Sequence, residues 1–140
     1  MSAPKTDAYA VIETAYKAVD TALSSGDAAP FAALLADDVV LVEPASHPFP
    51  GGRWQGKDVV VEAVGGILSS IGLTHVDLQN IIDDGETVCA IIEITSTNSA
   101  GQTFRMPMIE KWNVKDGKII HIEPYYHDIP ALKSHMSATS

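Results

Sequence analysis

The sequence predicts an α+β fold, helices first and an antiparallel strand meander last. Three observations carry this. Apolar residues recur at helical steps in the first half, as in Tyr9, Ile12, Tyr16, Val19 and Leu23. From Thr74 the period becomes two. Asp84-Gly85, the stretch 98–101 and Asp116-Gly117 are hairpin turn signals that punctuate this second half. Helices followed by hairpin-connected strands place the helices on one face of a curved sheet.

Taken in order, the first stripe predicts a helix over 6–24, stopped by Ser25-Gly26. Asp27 caps a short second helix through Leu35, with Pro30 tolerated in its first turn. Residues 39–43 read as a strand closed by Pro44. The segment 48–58, Pro-Phe-Pro-Gly-Gly-Arg-Trp-Gln-Gly-Lys-Asp, is a bent loop running into a third helix, Lys57–Ser70, with Val60, Val64, Ile67, Leu68 and Ile71 inward. Gly65-Gly66 weakens that helix by roughly 1 kcal/mol per glycine relative to alanine, which points to a bend or a close contact there. Four strands follow, over 75–82, 87–97, 103–114 and 118–126. The tail 134–140 is small and polar and reads as frayed, leaving an ordered core of about 6–132 within a single domain, 1–140.

Composition narrows the function. A chain of 140 residues that is 46% hydrophobic supports one core. Its formal net charge of −9 argues against nucleic acid and anionic membrane surfaces as partners. Cys89 is the one cysteine, so neither an internal disulfide nor a cysteine-based zinc site is available. The apolar runs are too short to span a bilayer, and residues 1–6 lack a signal-peptide core, so the expected location is cytoplasmic. No cofactor or metal is expected: His121, Glu123 and His127 fall on the strand face opposite the apolar one.

The chain resembles the SnoaL-like branch of the nuclear-transport-factor-2-like superfamily over about residues 9–132. The matching features are the helix–Ser-Gly-Asp–helix opening, Ala36-Asp-Asp-Val-Val before the first strand, the Pro-Phe-Pro-Gly-Gly loop, and the closing Trp112-x-Val-x-Asp-Gly-Lys-Ile…Tyr-Tyr-x-Asp128. The resemblance implies three N-terminal helices packed in the concave face of a curved, mostly antiparallel mixed sheet, a cone with an internal apolar pocket. It also implies a homodimer through the outer sheet face. The superfamily hosts isomerases, epoxide hydrolases, polyketide cyclases and plain binding domains. The expected function is therefore a pocket for a small apolar molecule, read as a cofactor-free acid–base enzyme. The alternative is a non-catalytic ligand-binding or dimerisation domain.

Period-two counting nominates the chemistry. Phe104, Met106, Met108, Glu110, Trp112 and Val114 share one face, where Glu110 is the lone ionisable group. A carboxylate there needs a partner or a raised pKa, and Arg53, Lys57 or a backbone N–H are the expected partners. On the last strand Ile120, Ile122, Pro124, Tyr126 and Asp128 fall together, which puts Asp128 at the pocket mouth above Tyr126. Other acids come from the resemblance. Glu43, at a strand end before Pro44, matches the proton-shuttling base of ketosteroid-isomerase-like members. Their oxyanion-hole acid falls on Met108, which donates no hydrogen bond, and Tyr16 lies a turn early for their helix-one tyrosine. Asp128 and Glu93 match the acids of limonene-epoxide-hydrolase-like members, with Ile91 where the bridging arginine belongs. In a polyketide-cyclase-like reading Asp128 acts with Tyr126 or His47. Trp54 is expected to roof the pocket, and Met106, Met108 and Trp112 to line it.

Overall fold

The computed structural model describes residues 6–49 and 51–138; Pro50 of the Gly/Pro loop, the leading residues 1–5 and the tail residues 139–140 lie outside them. Its elements are α1 (Asp7–Ser25), α2 (Ala29–Ala32), β1 (Leu35–Glu43), β2 (Gly52–Gln55), α3 (Lys57–Ser70), β3 (Leu73–Asp83), β4 (Thr87–Thr97), β5 (Thr103–Lys115), β6 (Lys118–Tyr126) and α4 (Ile129–Ser137). The six strands form one sheet in the order β2-β1-β6-β5-β4-β3, in which β1 and β6 run parallel and the other neighbours antiparallel. This is the α+β cone of the sequence reading. No described helix is long and apolar enough to cross a membrane.

Local chemistry sets the element ends. Thr6 accepts the Tyr9 N–H and opens α1; Gly26, at φ 76°, closes it with its N–H on the Ala22 carbonyl. The stripe buries Ile12, Ala15 and Tyr16 against the sheet. Strict alternation of buried and half-buried positions along β4 marks a concave face on the core and a convex face outside. Ile12, Leu35, Val39, Val60, Val88 and Ile119 are essentially inaccessible at the centre.

Four local expectations change. α2 is a single turn, because Leu35 leaves it to pair beside Ile119 as the start of β1. The Gly/Pro loop contains a strand, β2, which folds back antiparallel on β1 and pairs Trp54 with Leu41. A shift in register between Asn113 and Val114 sends Ile119 inward in place of Ile120, while Ile122, Pro124 and Tyr126 keep their face. The tail is helical: α4 buries Leu132 completely, and its His135 carbonyl accepts the Asn98 side-chain amide at 2.9 Å. At Gly66 the close contact is with the loop, since a Cβ there would lie 2.6 Å from the Phe49 ring.

Candidate functional site

Between α1, α2, α3 and the concave sheet face lies an apolar cavity of about 70 Å³. A single water needs on the order of 10–15 Å³ by this measure, so the space suits several waters or one small organic molecule. Its walls are mostly aliphatic and aromatic, from Val19 and Phe31 on the helices to Ile92, Ile94 and Ile122 on the sheet. Into this surface project two carboxyls, Glu43 and Glu110, and two tyrosines, Tyr16 and Tyr126. No lysine, arginine or histidine lines the cavity among the described residues.

Glu110 reaches the cavity because β5 alternation turns it inward between Met108 and Trp112. Its side chain is half-buried. Its partner comes from the opposite wall: the Tyr16 hydroxyl of α1 donates to Glu110 Oε1 at 2.5 Å. Tyr16 in turn accepts the Trp112 indole N–H at 3.3 Å, and the two rings meet edge-on with centroids 5.8 Å apart. Burial pushes the Glu110 carboxyl up, and the Tyr16 hydrogen bond offsets only part of this. Tyr16 is also raised, by burial and then by Glu110, so it stays a donor. A protonated Glu110 holds its O–H at the end of a chain of donors running Trp112 to Tyr16 to Glu110.

Glu43 is the last residue of β1 and is buried. The Tyr126 hydroxyl of β6 donates to both its oxygens, at 2.9 and 3.2 Å. Burial raises the Glu43 pKa to about 8; the Tyr126 bond pulls it down, and Glu110 pushes it further up. Tyr126 rests on the ring of His47, centroids 4.9 Å apart. His47 is buried in the loop after β1, its Nδ1 3.0 Å from the Phe49 N–H and 3.3 Å from the Phe49 carbonyl. Burial lowers its pKa, so the neutral ring accepts the Phe49 N–H and carries its proton on Nε2. That buried nitrogen has no hydrogen-bond partner among the described residues.

The structure thus brings together Glu43, Glu110, Tyr126, Met108 and Trp112, with His47 behind Tyr126. Other expected residues stand apart. Asp128 is exposed and is the N-cap of α4, accepting the Ala131 N–H at 3.0 Å; the strand ends at Tyr126, so the alternation that aimed it at the pocket stops two residues short. Glu93 lies on the convex face, in register between Asp77 and Pro107, because its neighbours Ile92 and Ile94 take the cavity side. Met106 is core packing beyond the cavity. Trp54 packs on Phe49 over α3, beside Val59 and Glu62, and is not among the residues that line the cavity. His121 and Glu123 bond to each other at 3.0 Å, on the opposite side of β6 from Ile122 and Pro124.

Tyr16 is the site residue that sequence reasoning missed, and it replaces Arg53 and Lys57 as the partner of Glu110. The signal was present: one hydroxyl on the apolar stripe of α1 and one carboxyl on the apolar face of β5 each need a partner inside. Glu110 lies two residues from Met108 along the same face.

A bent sheet holding helices on its concave face is the nuclear-transport-factor-2-like fold. Within that class the chain belongs to the SnoaL-like domain family, whose match spans residues 16–122. Solved structures agree on the fold. An NTF2-like protein of Burkholderia pseudomallei K96243 superposes with a TM-score of 0.79 at 17% identity, over 96% of this chain and 100% of that one. TerC, crystallised with polyporic acid, gives 0.77 at 19%, over 95% and 100%. A Catenulispora acidiphila protein with a ketosteroid isomerase-like fold, in complex with trimethylamine, gives 0.69 at 16%, over 89% and 93%. No curated protein matches.

Proposed function

We propose that this protein is a cofactor-free acid–base enzyme that moves a proton on a small, mainly apolar carbonyl compound. The observation that carries the reading is the pair of carboxyls, from two different strands, facing one apolar cavity with a tyrosine on each. Glu43 is the base. Its carboxylate takes a proton from the carbon next to the carbonyl, the C–H electrons move into an enolate, and the negative charge collects on the carbonyl oxygen. Glu110 is the neutral acid that donates to that oxygen, steadied by Tyr16. Glu43 then returns the proton to the same or a neighbouring carbon. Two carboxyls raised by burial on one mostly apolar cavity is an arrangement that suits such chemistry.

The test is proton–deuterium exchange at the α-carbon of small cyclic ketones and enones, followed by NMR, for wild type, Glu43→Gln and Glu110→Gln. Wild-type exchange should rise with pH through about 8, as Glu43 ionises. Exchange equal in wild type and Glu43→Gln overturns the reading. Binding without exchange favours the non-catalytic ligand-binding alternative.

A homodimer through the convex sheet face completes the proposal. Ile82, Ile109 and Tyr125 are exposed there, and Ile91, Ile109 and Tyr125 lie in one row across β4, β5 and β6. Ile109→Lys should convert the dimer to monomer in light scattering; a wild type that is monomeric at high concentration removes this part.

A further inference from the structure

Glu43, Pro124 and Tyr126 border two spaces at once. Inside is the apolar cavity; outside is a surface groove completed by Val42, Pro44 and Ile129. The Glu43 carboxyl is thus part of the partition between the cavity and the groove. Its position needs an anchor, because a glutamate side chain has three rotatable bonds and a broad terminal torsion. The anchor present is the Tyr126 hydroxyl, within hydrogen-bond distance of both carboxyl oxygens. Tyr126 is itself seated on the His47 ring, and the Phe49 N–H fixes His47.

We propose that Tyr126 is a positioning residue for Glu43, its hydroxyl, backed by His47, holding the carboxyl in the partition where it meets an occupant of the cavity. The inference rests on the reading of Glu43 as the base. Tyr126 is not a second shuttle: burial and the adjacent Glu43 raise its pKa, so it keeps its proton and donates throughout. The titratable groups around Glu43 are Tyr126 from β6 and Glu110 from β5, with Tyr16 of α1 behind Glu110 and Glu123 on the outer groove. α3 presents only apolar side chains to the cavity, Val64, Ile67 and Leu68. Among these neighbours the Tyr126 donor is the one that favours the ionised carboxylate, against burial and Glu110.

The experiment is a carboxyl titration by NMR on the full chain with ¹³C-labelled glutamate, the Glu43 signal being the one lost in Glu43→Gln. Tyr126→Phe keeps the ring and its seat on His47 and removes only the donor. The Glu43 midpoint should rise by about one pH unit, the size expected for losing a hydrogen bond to a charged group. The pH profile of α-proton exchange should move up with it. Tyr125→Phe is the control. Tyr125 borders the same groove, but its hydroxyl bonds Glu123 at 2.6 Å, so the midpoint should hold. An unchanged or lowered Glu43 midpoint in folded Tyr126→Phe overturns the proposal, as does loss of exchange at every pH with the midpoint in place. The titration needs no substrate. A raised midpoint in a protein that exchanges no α-proton therefore keeps the anchoring role and removes the catalytic reading instead.

Discussion

The two carboxyl–tyrosine pairs of the cavity use the same chemistry in different settings. Glu110 sits mid-strand, and its tyrosine reaches across the cone from a helix. Glu43 ends its strand, borders an outer groove, and takes its tyrosine from the adjacent parallel strand. Burial raises both carboxyls. The difference teaches which of them can cycle. In the proposed reaction the mid-strand acid, raised by burial, donates, and the strand-end acid, raised to about 8, gains and loses a proton close to neutral pH.

Breaking the strand-end acid should have the largest effect. Glu43→Gln should lower α-proton exchange by about 10²–10⁴-fold, the usual range for a general base, measured as the initial rate of deuterium incorporation. Breaking the mid-strand acid should cost somewhat less, about 10²–10³-fold for Glu110→Leu, since it removes a donor to the developing oxyanion. Tyr16→Phe strips Glu110 and the Trp112 indole of a partner at once. It should lower stability by about 1–3 kcal/mol in urea unfolding.

The comparison sharpens in the pH dependence of stability. Burial raises the Glu43 pKa to about 8 from the ordinary carboxyl value of 4.5, so between those limits the folded state holds a proton that the unfolded chain has lost. The stability Glu43 contributes should therefore be fully present below about pH 4.5 and be lost as pH rises through about 8, by on the order of 1 kcal/mol per pH unit. Glu43→Gln should flatten that slope in denaturant titrations at stepped pH; a slope that survives the substitution would assign it elsewhere, Glu110 first. The smallest effect belongs to the acid outside the comparison. Asp128→Ala should cost about 1 kcal/mol in thermal unfolding, the worth of a helix cap, and leave exchange unchanged.

Much of this was legible in the sequence, and the failures are instructive. Period-two counting placed Glu110, Met108 and Trp112 correctly because β5 runs regularly through that stretch. It misplaced Asp128 because the strand stops at Tyr126 and Pro130 begins a helix, where alternation no longer means anything. Glu43 was singled out by the family resemblance, as an acid before Pro44, and it does line the cavity, but its tyrosine partner depends on the parallel pairing of β1 with β6, which no local pattern encodes. The same holds for Tyr16. Its stripe said that it points inward, and only the packing of α1 on the sheet says against what. Trp54 was lost to β2, a strand of four residues inside a loop rich in glycine and proline.

The place of β6 has a consequence for how the chain reaches this state. The last strand in sequence lies inside the sheet, between β1 on one side and the β3–β4–β5 meander on the other. During synthesis the hairpin of β1 with β2 and the meander can each form early, as two half-sheets with facing unpaired edges. Only when β6 emerges are they joined, and with it arrives Tyr126, 83 residues after the glutamate it holds. Long-range strand insertion of this kind is slow and leaves edges open to other chains meanwhile. The junction of the two halves and the completion of the site are one event, so a nascent chain acquires its chemistry no earlier than its fold.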